Sequence, residues 1–148
     1  MPLLALILIL AGALFATGVA ALGARPGGRW GDAVYGVAAG LSGVLCLAAL
    51  GWLAAGAGAV GVVLPLGLPW LGMHFRLDAL AAFFALVVNL GGALACVYAI
   101  GYGRGEAAPR RVLPFVPAFL AAMNLVLLAA DAFTFLLLWE LMSLCSWA

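Results

Sequence analysis

Apolar residues run along this chain in long stretches, and the polar positions fall mainly between those stretches instead of alternating within them. The first uncharged run, Leu3 to Leu22, has about the 20 residues that a helix needs to cross roughly 30 Å of hydrocarbon. A cleaved leader is the alternative for this run, but no Lys or Arg precedes it. The turn RPGGRWGD, residues 25–32, follows with a helix-breaking proline and three glycines, and it places Asp32 to cap a second span over about 33–55. Residues 56–72 stay apolar but contain Gly56, Gly58, Gly61, Pro65, Gly67, Pro69 and Gly72. That density of breakers argues against a spanning helix and predicts an extended or hairpin connection over 56–74, with Trp70 and His74 at headgroup depth. Asp78 is the expected cap of a third span, 79–102, which carries Asn89 near its middle. After the loop GRGEAAPRR, residues 103–111, Pro114 and Pro117 fit the first turn of a fourth span over 114–130 that includes Asn124.

Between Val112 and Ala148 only Asp131 and Glu140 are charged. A single helix over that stretch would be roughly 55 Å long, far more than a bilayer needs. The chain therefore has to turn, and Asp131 is the residue suited to open a fifth span over 132–148. The expected fold is an all-α, polytopic transmembrane bundle of about five spans, the last one truncated.

Composition strengthens this reading. The chain is 69% hydrophobic and 7% charged, with a mean hydropathy of +1.32, whereas charged residues make up about a quarter of a soluble domain. A net charge of +1 gives no basis for nucleic-acid binding. Cys46, Cys96 and Cys145 lie in separate apolar runs without a CxxC pair, so they read as small hydrophobes, and no metal or cofactor is expected in this chain. His74, the only histidine, reads as an interfacial side chain. Gly36 and Gly40 form a GxxxG pair, read as ordinary bundle packing in so glycine-rich a chain. With these spans, Arg25, Arg29, Arg104, Arg110 and Arg111 share one side, which the positive-inside rule makes cytoplasmic, leaving the N-terminus and the Gly/Pro connection outside.

The chemistry concentrates in DAFTFLLLWELMSLCSWA, residues 131–148. An acidic residue at the centre of a span opposes insertion by roughly 2.5 to 3.5 kcal/mol, and the leucines and phenylalanines around it return roughly 0.3 to 0.6 kcal/mol each. The span inserts, but Glu140 is tolerated at a cost, which makes it the leading candidate for a functional residue. It lies about 13 Å beyond Asp131 along a helix axis, near the bilayer midplane. Helical spacing puts Phe133, Leu136, Leu137, Ser143, Leu144 and Trp147 on its face, and Ser143 is within reach of a hydrogen bond to it. Asn89 and Asn124 read either as interhelical packing amides or as parts of a hydrated path. The chain has no lysine, and its arginines sit at loops or interfaces, so no cation is evident as a partner for Glu140.

Two stretches, FRLDALAAFFALVVNLGGALACVYAIGY (75–102) and MNLVLLAADAFTFLLLWELMSLCSWA (123–148), carry a family resemblance. They resemble the opening of the antiporter-like membrane subunits shared by respiratory complex I, multisubunit sodium/proton antiporters and membrane-bound hydrogenases. The ending WELMSLCSW is most similar to the hydrogenase-4 and formate hydrogenlyase branch. The resemblance implies that these residues are the N-terminal part of a larger, multi-pass subunit of the inner (plasma) membrane. It also implies a proton-pathway role for Glu140, supported by Ser143 and Asn124 and paired with a lysine on a later helix. Implied partners are other membrane-arm subunits and a peripheral redox arm, of the Fe-S or NiFe hydrogenase kind, which would hold the redox centres. Whether the chain counts as part of an enzyme is left open, since it has no redox centre of its own. A secondary cation/proton antiporter and a structural helix-packing protein remain the alternatives.

Overall fold

The structure is a computed structural model that describes residues 2–23, 29–102 and 112–147. Five helices account for most of them: α1 (Pro2–Leu22), α2 (Arg29–Ala54), α3 (Ala79–Tyr102), α4 (Phe115–Leu128) and α5 (Ala132–Trp147). A β-hairpin of β1 (Val60–Leu64) and β2 (Met73–Leu77) fills the Gly/Pro-rich connection between α2 and α3. The all-α bundle expected from the hydropathy pattern is present, and the breaker-rich segment is extended as its composition required.

The helices pack through narrow seams. On α1 the buried positions are Leu4, Ile7, Ala11, Leu14, Gly18 and Ala21, and on α2 they include Val34, Ala38, Ser42, Leu45, Ala49 and Trp52. Both sets step by three and four residues, the spacing that keeps one stripe of a helix against a neighbour. α3 uses the same spacing with smaller residues, Ala82, Ala85, Asn89, Gly92 and Cys96. Helix α2 packs mainly on α3, α1 on α4, and α4 on α5. Outside these seams Leu47, Leu80, Leu94, Val97 and Leu144 stand exposed, an arrangement that suits lipid or further protein and not water.

Among the described residues, only α1, α2 and α3 are long and apolar enough to cross a membrane unaided. Helix α4 has 14 residues, about 21 Å, because Pro114 precedes its start and Ala129 leaves the helix in an extended conformation. That departure is used. Ala129 pairs with Phe75, and the Ala130 N–H donates to the His74 carbonyl at 2.9 Å, so residues 129–130 run along the edge of β2 opposite β1. The hairpin, the start of α3, the end of α4 and the start of α5 thus meet at one end of the bundle.

One cap differs from expectation. Asp32 lies inside the first turn of α2, which begins at Arg29. A carboxylate in the first turn still complements the positive end of the helix dipole. Asp78 does cap α3, accepting the Ala81 N–H at 2.9 Å. That bond and the adjacent Arg76 guanidinium hold its carboxyl below the usual range. The arginine argument for sidedness rests on Arg25, Arg104, Arg110 and Arg111, which lie outside the described residues, and on Arg29.

The glycines that matter for packing are not the GxxxG pair. A Cβ on Gly36 or Gly40 would meet nothing within 4 Å, whereas one on Gly18 would lie 2.6 Å from the Pro114 carbonyl oxygen, where α1 crosses the start of α4. Gly18→Ala is therefore expected to destabilise the bundle by roughly 1–3 kcal/mol through overpacking against rigid backbone. Gly36→Ala is expected to be neutral or stabilising by up to about 1 kcal/mol. Thermal unfolding of the detergent-solubilised variants separates the two; equal Tm losses would contradict the close α1/α4 approach.

Candidate functional site

Helix α5 is apolar all round, the pattern of a helix surrounded by other apolar groups. Yet only Thr134 and Leu138 on it are buried, and α4 is the helix it packs against. Glu140 stands two residues beyond Leu138, about 200° around the axis, so its carboxylate points away from α4 and is exposed. Leu136, Leu137, Leu144 and Trp147, from the same outer face, are exposed with it. Among the described residues no group hydrogen-bonds Glu140. Ser143 is half-buried and its carbonyl accepts from Ser146 Oγ at 2.9 Å; no hydrogen bond joins it to Glu140.

Asn124 is committed elsewhere. Its Nδ2 donates to Asn89 Oδ1 at 3.1 Å and to the Leu120 carbonyl at 2.8 Å, while Asn89 Nδ2 donates to Asn124 Oδ1 at 2.6 Å and to the Ala85 carbonyl at 2.8 Å. Both amides are fully buried. Each thereby gives one hydrogen to its partner and one to its own helix four residues back, leaving no donor free. The geometry is that of a packing clamp between α3 and α4. Beside it lies an apolar groove of about 520 Å³ lined by Gly91, Gly92, Ala95, Phe119, Leu120 and Cys145, among others.

A second polar cluster holds the N-terminus of α5. Asp131 Oδ1 accepts the Thr134 N–H at 2.9 Å, the N-cap bond expected from sequence. Its Oδ2 accepts the Thr134 hydroxyl and, at 3.1 Å, the His74 N–H from β2. The Thr134 side-chain and backbone bonds, followed by the His74 N–H, pull the Asp131 carboxyl down to about 2. Because the folded value lies below the ordinary 3.8, this group stabilises the fold at higher pH, and its contribution is lost as pH falls from about 4 toward about 2. The His74 ring is drawn in as well, with Nδ1 3.4 Å from Asp131 Oδ2. Among the described residues no three His, Cys, Asp or Glu side chains converge as a metal site.

No family model matches the chain. An uncharacterised protein of Mycobacterium tuberculosis, found in two strains, is 44% identical over 87 residues, which are 59% of this chain and 13% of that protein. Component B of hydrogenase-4 from Escherichia coli is 36% identical over 80 residues, 51% of this chain and 12% of that protein. Among solved structures, a chain of the Mrp complex from a Dietzia species superposes with a TM-score of 0.65 at 26% identity, over 97% of this chain and 25% of that one. The chain resembles the antiporter-like membrane subunits of the complex I family. This antiporter-like likeness extends over nearly all of the helices and the hairpin in fold, and over about half of the residues in sequence. The chain spans about an eighth of the length of the curated relatives it matches. In the cluster at α5, Asp131 was read from sequence as the cap and His74 as an interfacial side chain, and Thr134 was not singled out. Thr134 is three residues after Asp131, the position whose N–H an N-cap carboxylate accepts, and that spacing was a legible signal. The docking of His74 joins positions 57 apart and left none.

Proposed function

We propose that these residues form the N-terminal transmembrane part of a proton-translocating subunit in a redox-driven membrane complex, with Glu140 as its intramembrane acid. The observation that carries the reading is the position of Glu140: a carboxylate within an apolar helix, on the face that the neighbouring helices leave open. Burying such a group unpaired is expensive, so the open face calls for a cation supplied from elsewhere. An approaching cation favours the ionised carboxylate and a retreating one favours the protonated acid, so movement of the cation loads and releases a proton. The likeness to hydrogenase-4 component B supports coupling to redox chemistry with other membrane subunits alongside, and a peripheral Fe-S arm would hold that chemistry. The inner membrane is the corresponding location, with the hairpin end of the bundle outside.

The likeness to a chain of the Mrp complex favours a second reading, cation/proton exchange driven by an existing gradient. Membrane vesicles containing the complete subunit and its partners distinguish the two. Acidification that requires an electron donor supports the redox-driven reading. Exchange that runs on an imposed cation gradient, without any donor, supports the antiporter.

A further inference from the structure

We propose that His74 is a positioning residue for the helix that carries Glu140, acting as a protonation-sensitive clasp between the hairpin and the start of α5. Its backbone N–H is shared between Asp131 Oδ2 at 3.1 Å and Thr134 Oγ1 at 3.2 Å, and its carbonyl accepts the Ala130 N–H, so the strand is already docked. The ring is not. Nδ1 is enclosed and has no hydrogen-bond partner, standing 3.4 Å from Asp131 Oδ2, just beyond bonding range. A neutral imidazole turned with its lone pair toward that oxygen repels it, whereas an imidazolium presents an N–H at either nitrogen. Charged N–H to carboxylate bonds close to about 2.7–2.9 Å, so protonation draws the ring onto Asp131. Asp131 is itself the cap of α5, and a tighter bond there fixes the first turn of that helix against β2.

The surroundings isolate this pair. From β1 the register partner of His74 is Val63, which is apolar, and α4 contributes no titratable residue. On its own strand the next outward residue is Arg76, already bonded to Asp78 at the cap of α3. From the α5 side Asp131 is the group that faces the ring, while Thr134 meets the His74 backbone N–H. Among the described residues the charge that answers His74 is therefore Asp131. The clasp thus tightens when the ring carries a second proton and loosens when it gives that proton up. A functional consequence for ion movement rests on the Glu140 reading above; the clasp itself does not.

Hydrogen exchange of the complete subunit in lipid nanodiscs, followed on peptides covering residues 129–137 and corrected for intrinsic rates, tests the proposal. Moving from about pH 7.5 to about pH 5.5 is expected to slow exchange there by roughly two- to fivefold, the scale of a partly exposed ion pair. His74→Gln is expected to remove that pH dependence. Asp131→Asn retains a capping side chain without the charge, and it is expected to remove the dependence too, which keeps the test open should one variant fold poorly. Persistence of the pH effect in either folded variant would overturn the clasp. Glu140→Gln is expected to leave the effect intact. Loss of translocation and loss of the exchange signature therefore report on different claims.

Discussion

Replacing Glu140 by glutamine in the complete subunit is expected to reduce ion translocation by roughly 100-fold, the scale seen when a positioned proton-transfer group is lost. The amide is nearly isosteric, carries no charge and does not exchange a proton at the pH of the cell. Packing gives the variant no reason to fail. Glu140 is exposed on the outer face of α5, and among the described residues nothing is bonded to it, so no partner within these helices is left unsatisfied. The amount of assembled subunit should be unchanged, and insertion should become slightly more favourable as the acidic group is removed. Proton uptake by vesicles, normalised to subunit content, is the measurement. Unchanged uptake in Glu140→Gln would sink the proton-path assignment, and reduced assembly with normal uptake per complex would reassign Glu140 to helix packing.

The second large effect is expected at the buried amide pair. Asn89→Leu leaves Asn124 with an unpaired carbonyl oxygen and one Nδ2 hydrogen without a partner, inside a seam that excludes water. A buried polar group orphaned in this way costs about 1–3 kcal/mol, although interhelical hydrogen bonds in membranes average nearer 0.6 kcal/mol because the separated helices find other partners. The close 2.6 Å contact and complete burial argue for the upper part of that range. Asn124→Leu should behave alike. The double variant Asn89→Leu/Asn124→Leu removes both orphans together and should recover much of the loss, so unfolding measurements on all four proteins should give a coupling of about 1–2 kcal/mol. Simple additivity of the two single losses would show that the amides do not act as a pair. Translocation should survive in the double variant if the amides serve packing alone.

How far the sequence announced all this depends on the range of the interaction concerned. Helix existence was set by local hydropathy, and the spans near 3–22 and 79–102 appear within a residue of their expected ends because uncharged runs and flanking breakers act locally. Asp78 and Asp131 were legible as caps for the same reason: a cap is decided by the three residues that follow it. The short length of α4 was not legible. It depends on Ala129 leaving the helix to pair with Phe75, a strand partner more than fifty residues earlier. Asn89 and Asn124 were visible as intramembrane amides, yet their pairing required knowing which faces of α3 and α4 meet. Glu140 was legible as a charge in the wrong solvent. Its orientation away from α4 was not, because α5 is apolar on every side and hydropathy does not distinguish its inner face from its outer one.

The contact between residues 74 and 131 gives the chain an unusual geometry of return. Helix α3 leaves the hairpin end and α4 comes back to it, and hydrogen bonds fasten the two ends of the excursion together. The excursion is a closed ring joining positions 57 apart, tied by polar bonds in place of a covalent cross-link. The entropy of closing such a ring rises only with the logarithm of its length, so ten extra residues anywhere along it would add about 0.1 kcal/mol. A change of length in the connection between α3 and α4 would thereby be decoupled from the geometry at the knot. The register of the helix bearing Glu140 is inherited from a strand that the ribosome delivered long before it.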